Sequence, residues 1–261
     1  MRNPLYALYK YVVFKAGDTR WIGWRHFPLV ATWDVHQHKV NGYEAAEAAA
    51  VLRPGDIILL RHDGYVSNLG IGGALVHAAL YIGNSEVVEA LSDDEGGVVK
   101  RHVFDTLRAD RVVIVRPALS FEEIMAAITH ARSIVGFKYD IFFDFNSAEE
   151  RKLIEADPER AKAGAVKFCC TEIPHYCFLE HLPSLDLYRT RRTSLLQSFL
   201  ALLGLRVAGD IVTADMYVEA NFKVVWVSKF VTPKWLAQMG CSEKLLSRIE
   251  TFCMGSRGLR S

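Results

Sequence analysis

The chain has 261 residues, 51% hydrophobic and 23% charged, which excludes a disordered or collagen-like polypeptide and fits a globular protein. Lys and Arg number 31 against 30 Asp and Glu, so a formal charge of +1 offers no electrostatic footprint for nucleic acid or a strongly acidic partner. No internal repeat, low-complexity tract or Gly/Ser/Pro linker interrupts the sequence, and the expectation is one domain over residues 1–261.

Residues 1–50 read as a helical, aromatic-rich extension ending in the alanine-rich run Tyr43 to Val51. Its apolar residues are interrupted by Lys10 and Lys15, and no apolar core ends in a small-residue cleavage site. No secretory signal peptide is read, so a cytoplasmic location is the expectation, with signal-independent export as an effector the alternative. The apolar stretch Leu195 to Leu205 is too short for a membrane span and reads as a buried helix. No integral membrane segment is therefore expected. The five cysteines, Cys169, Cys170, Cys177, Cys241 and Cys253, are odd in number and clustered in the C-terminal half, which favours a reducing compartment over a disulfide framework.

Core motifs are read over 51–180. Arg53-Pro54-Gly55-Asp56 punctuates the chain before a strand over Ile57 to Leu60. The glycine-rich stretch His62 to Gly73 is a loop. Strands over Val76 to Ile82 and Glu86 to Leu91 are joined by Gly83-Asn84-Ser85, a hairpin signal of the three-residue kind. Another strand, Val112 to Arg116, stops at Pro117. Ser120 and Glu123 have capping-box spacing ahead of a helix whose Phe121, Ile124, Met125, Ile128 and Val135 share one face and which Gly136 ends. Residues 147–165 begin with a second such pair, Ser147 and Glu150, break at Pro158, and read as a surface helix or lid. Residues 181–261 supply C-terminal helices and a closing strand over Phe222 to Ser228. Helices and mostly antiparallel strands in separate runs give an α+β class, a central sheet with helices packed around it.

Alternation along the first hairpin strand places His77, Ala79 and Tyr81 on one face. With 83–85 as the loop, Ile82 pairs with Glu86 and Ala79 with Glu89, so Glu89 is a diagonal neighbour of His77 on the same face. Such neighbours lie roughly 7–8 Å apart at Cα, within reach of long side chains. By itself this pair reads as a cross-strand ion pair. Cys170 changes that reading. Pro174 fits a helix only close to its start, so a helix begins just before it and Cys170 lies at or near its N-terminus, where a thiolate is favoured. A thiolate beside an imidazole oriented by a carboxylate is the arrangement of an activated nucleophile. Cys169 competes for the role. The two adjacent side chains cannot both face one site, and Cys170 is preferred, with Cys169 and Cys177 as small buried residues.

His77, Cys169, Cys170 and Cys177 were also weighed as metal ligands, but no CxxC or HxxxH spacing is present and adjacent cysteines share one tetrahedral ion poorly. Gly70-Ile71-Gly72-Gly73 lacks a following Lys-Ser/Thr and leads into a strand, so it is no phosphate cradle. Neither a metal nor a cofactor is expected. His62, His102, His130, His175 and His181 read as surface or structural histidines.

The segments LRPGDIILLRHDGYVSNLGIGGALVHAALYIG, EVVEAL, GGVV, VVIVRP, GFKYDIFFDF and FCCTEI, in this order over roughly residues 50–180, resemble the permuted NlpC-like papain-fold proteins of the YiiX/YebB type. The late segment GDIVTADMYV resembles that family's tail. The resemblance implies a circularly permuted papain-like (NlpC-type) fold, with histidine preceding cysteine. It implies a triad of Cys170, His77 and Glu89, and the match of Cys170-Thr171-Glu172 favours Cys170 over Cys169. Gly136, Tyr139 and Asp140 match a further element, read as structural or pocket-lining. Residues 1–50 have no counterpart, and neither a wall-binding module nor an export signal accompanies the match.

The function that follows is a thiol-dependent hydrolase, an amidase or cysteine peptidase acting on a small peptide-like or acylated substrate. A lipid acyltransferase or phospholipase resembling the lecithin:retinol acyltransferase branch is the alternative, although that branch usually has a second histidine where this chain has Glu89. A non-catalytic binding protein on the same fold is the rival of a different class. No particular oligomeric state is implied.

Overall fold

The structure is a computed structural model, and it describes residues 38–65, 68, 71, 73–141, 143, 145–188, 211–220 and 222–257, with the short segments 20–21, 31–32 and 191–192. Runs rich in Val, Ile and Leu form the strands β1 (Ile57–Arg61), β2 (His77–Gly83), β3 (Glu86–Ala90), β4 (Val98–His102), β5 (Arg111–Arg116) and, near the C-terminus, β8 (Lys223–Val227). They make one 6-stranded sheet in the order β8-β5-β1-β2-β3-β4. Every neighbouring pair in it is antiparallel. The sheet therefore begins at the central strand β1, runs outward as a meander through β4, and returns to the other side of β1. A separate pairing of β6 (Lys138–Tyr139) with β7 (Lys167–Phe168) is parallel.

Both faces of the sheet are covered, so most of its strands are apolar throughout rather than alternating. One face, carrying Ile57, Leu59, Ala78, Leu80, Val88 and Val113, packs under α3 (Phe121–Ser133), α5 (Glu172–Phe178) and α6 (Asp215–Glu219). The other, carrying Ile58, Leu60, Ala79, Val87 and Ile114, packs under α1 (Gly42–Val51) and α2 (Val103–Thr106). The class is α+β, with an antiparallel central sheet and surrounding helices.

The helix starts follow local chemistry. Ser120 accepts from Glu123 N while the Glu123 carboxylate accepts from Ser120 N, and Ser147 and Glu150 do the same ahead of α4 (Ala148–Ala156). Asp157 and Pro158 end α4 as the sequence requires. The C-terminal region supplies α7 (Pro233–Gln238) and α8 (Glu243–Arg257). Among the described residues no helix is long and apolar enough to cross a membrane.

Three expectations need correction or fall outside this picture. The hairpin loop is not three residues long: Gly83 faces Glu86 across the two-residue turn Asn84-Ser85, both at positive φ (53° and 60°). The N-terminal extension is not wholly helical, since Arg20–Trp21 pairs antiparallel with Ala31–Thr32. The helix expected over Leu195 to Leu205 lies outside the described residues.

Candidate active site

His77 is the first residue of β2, and Glu89 is the fourth of β3. Leu80 pairs with Val88 and Tyr81 with Val87, a register that brings Ala79 opposite Glu89. A bulge between Tyr81 and Gly83 adds back the residue that the shorter turn removes, so the parity expected from the sequence survives. The outcome is a contact of 2.7 Å between His77 Nε2 and Glu89 Oε2. The carboxylate side chain is 2% exposed and the imidazole 18%, so the site opens to solvent on the histidine side.

Cys170 arrives from the opposite layer. Thr171 is the N-cap of α5 and Pro174 its third residue, which leaves Cys170 in the turn just ahead of the helix. Its Sγ lies 3.7 Å from the carbonyl oxygen of Val76, the residue preceding β2. The thiol packs with the core on the α5 side while His77 belongs to the other face, so the two meet at the end of the strand. The charge of Cys170 acts on the His77 imidazole and raises its pKa. The structure thus joins His77 and Glu89 in direct contact and places Cys170 near the start of the strand that carries His77. Cys169, 0% exposed, lies against Thr171 Oγ1 at 3.5 Å. Cys177 is buried core, and all five cysteines are free.

A segment from the far end of the sequence ties these parts down. Asp215, 1% exposed, accepts from Ala74 N at 2.9 Å and from Leu75 N at 2.8 Å, fixing the approach to His77. Arg61 donates to the carbonyl of Gly73 at 2.9 Å on the same approach. Gly73 has φ +75°, and a Cβ there would stand 2.9 Å from Asp215 Oδ2, so only glycine fits this close passage. The same distal segment reaches the turn that carries Cys170: the Tyr217 hydroxyl donates to Thr171 O, and Thr171 Oγ1 donates to Val212 O at 3.1 Å. The motif around Asp215 and Tyr217 is therefore the clamp that holds the Cys170 turn against the start of β2.

Electrostatics separate the groups. Burial works to lower the His77 pKa, but the charge and hydrogen bond of Cys170 and those of Glu89 outweigh it and raise the imidazole to about 10. Burial would raise Glu89, yet the hydrogen bond and charge of His77, the Thr106 hydroxyl and the Arg101 guanidinium hold its carboxyl below the usual range. Burial, with the charges of Glu172 and Cys170, pushes the Cys169 thiol well up, and burial alone does so for Cys177. Both shifts favour the protonated thiol over the thiolate.

Three neighbours escaped the sequence reading. Thr106 Oγ1 donates to Glu89 Oε1 at 2.9 Å, and an Arg101 guanidinium nitrogen lies 3.6 Å from the same oxygen. Asp215 was covered by a motif but had no role assigned from sequence. In the element Gly136, Tyr139 and Asp140, Tyr139 lies within the electrostatic reach of Cys170. Parallel pairing sets it opposite Phe168, and burial, with the charges of Cys170 and Cys169, pushes its phenol pKa well up. Gly136, at φ 89°, terminates the turn after α3. Asp140 N bonds Phe168 O at 3.0 Å. Of the other histidines, His102 accepts from Phe104 N at the start of α2, and His175 contacts Asp186 at 2.8 Å.

No family model matches this chain, and no curated protein does. Among solved structures it is similar to the crystal structure of the metalloprotein yiiX from Escherichia coli O157:H7, at 14% identity and a TM-score of 0.48, over 68% of this chain and 98% of that one.

Proposed function

We propose that the protein is a thiol-dependent hydrolase with a circularly permuted papain-like arrangement, cleaving an amide bond in a small peptide-like or acylated substrate. Cys170 is the nucleophile, His77 its base and acid, and Glu89 the group that orients His77. The observation that carries this reading is the 2.7 Å contact of His77 Nε2 with Glu89 Oε2, on an imidazole whose pKa the charge of Cys170 raises. With Nε2–H committed to Glu89, Nδ1 is the nitrogen left for the thiol.

The chemistry is acyl transfer in two halves. The Cys170 sulfur attacks the substrate carbonyl carbon, and backbone N–H groups of the Cys170–Thr171 turn are assigned to the oxyanion that forms. The C–N bond breaks as the His77 imidazolium gives its proton to the departing amine, leaving a thioester on Cys170. Water then attacks the thioester, His77 takes its proton, and the acid leaves with the thiolate restored. A Glu89 carboxylate held ionised stabilises the imidazolium at each stage. The order of the residues along the chain, His77 before Cys170, supports the permuted form.

The test is labelling with an electrophilic peptide probe and an electrophilic lipid probe side by side, the modified residue being mapped by mass spectrometry. The expected result is covalent capture at Cys170 by the peptide probe, lost in Cys170→Ala. Faster capture by the lipid probe would turn the reading to a lipid acyltransferase or phospholipase. Capture at Cys169 with Cys170 inert would overturn the nucleophile assignment.

A further inference from the structure

We propose that Thr106 is a positioning residue of this site, its hydroxyl holding the Glu89 carboxylate in the one orientation that keeps the His77 imidazole directed at Cys170. The inference rests on the hydrolase reading above and adds a group to it.

An ionised carboxylate only accepts hydrogen bonds, and one buried to 2% exposure needs donors on both oxygens. Oε2 is bound by His77. Oε1 accepts from Thr106 Oγ1 at 2.9 Å. The Arg101 nitrogen stands 3.6 Å from that same oxygen, too far for a good hydrogen bond, on a side chain 35% exposed. Thr106 is thus the buried neutral donor that fixes the second oxygen, and with both ends held, the rotatable glutamate side chain is pinned. His77, Arg101 and, through His77, Cys170 are the charged groups that face it.

The hydroxyl is itself held rigidly. Thr106 is the last residue of α2, in the crossover from β4 to β5, and the flanking Val103 and Leu107 are buried at 2% and 1% exposure in the core on that face. A threonine in a helix ordinarily returns its hydroxyl to a carbonyl of the preceding turn. Here the proton points across to the neighbouring strand instead, which is the geometry of a support for Glu89 rather than of a helix filler. Without that donor the carboxylate is free to rotate out of line with the imidazole, and the imidazolium loses part of its stabilisation.

The experiment uses the full chain in three forms: wild type, Thr106→Val, which is nearly isosteric but has no hydroxyl, and Thr106→Ser, which keeps it. Thr106→Ala serves in place of Thr106→Val if the valine variant does not fold by circular dichroism. Two quantities are read: the His77 midpoint from side-chain nitrogen NMR against pH, and the rate of iodoacetamide alkylation at Cys170. Removing the hydroxyl should lower the His77 midpoint by about one pH unit and slow alkylation about tenfold, the size of one hydrogen bond to a charged group. Thr106→Ser should stay within about twofold of wild type, since it restores that bond. Unchanged values in Thr106→Val, or losses in Thr106→Ser equal to those in Thr106→Val, overturn the role of Thr106 while leaving a reactive Cys170 and the hydrolase reading intact. A wild type inert at Cys170 overturns the hydrolase reading first, and the role of Thr106 with it.

Discussion

Two imidazole–carboxylate pairs of nearly equal length sit in this molecule, His77–Glu89 at 2.7 Å and His175–Asp186 at 2.8 Å, and their burial is inverted. In the first the carboxylate is 2% exposed and the imidazole 18%. In the second the imidazole is 2% exposed and the carboxylate 48%. A buried carboxylate with an open imidazole presents a proton-transfer group to whatever enters. A buried imidazole with an open carboxylate presents only an acceptor already in use, and the His175 ring lies against Phe145 with centroids 5.0 Å apart. The two pairs differ not in length but in the direction in which they face solvent, and the first has the Cys170 thiol near it.

The largest expected effect separates the pairs by activity. Cys170→Ala should abolish turnover of any substrate found by probe screening, because no other group is placed to form the acyl intermediate. His77→Ala should cost about 10²–10⁴-fold, the range for a general acid–base group. Glu89→Gln should cost less than either, since it orients His77 and exchanges no proton. His175→Asn should leave turnover within a few fold while lowering the melting temperature. A folded Glu89→Gln as inactive as Cys170→Ala would break the ranking, and a folded Cys170→Ala with full activity would break the enzyme reading.

A smaller effect concerns pH. The folded His77 pKa, about 10, lies above its ordinary value of 6.5, so the folded state binds that proton more tightly than the unfolded chain does. The resulting stability is fully present below about 6.5 and is lost as pH rises through about 10. Thermal melts of wild type and His77→Asn should therefore differ below neutrality and converge above about pH 10, and activity should fall on the alkaline side over the same range. Parallel curves at every pH would show that His77 is not held as an imidazolium.

The same contrast explains what could be read in advance. The His77–Glu89 contact followed from side-chain parity, and it survived an error in the turn because the bulge before Gly83 compensated for the two-residue loop. The start of α5 followed from Pro174, whose ring allows it only in the first turn. The strand β4 was not legible. Lys100, Arg101 and His102 hide its period, as suits an edge strand that charged side chains protect from pairing with another chain. Nor was Asp215, whose partners are the backbone N–H groups of Ala74 and Leu75 some 140 residues away. A backbone donor has no signature in sequence, so a side chain that captures one from afar looks like any surface aspartate. Thr106 is hidden in a related way, because a hydroxyl's partner is chosen by packing rather than by spacing.

The smallest expected effect is at the second pair. Asp186→Asn removes a charge that is 48% exposed, where water and salt already screen most of the attraction. The asparagine oxygen can still accept from His175, so the loss should be at most about 1 kcal/mol of stability, as for exposed ion pairs generally. Urea unfolding at low and at high ionic strength checks this, with the difference between variant and wild type shrinking as salt is added. Alkylation at Cys170 should not change. If Asp186→Asn instead slowed Cys170 alkylation, the two pairs would be coupled through α5, which carries His175 just after the turn that holds Cys170, and the two pairs would not be independent.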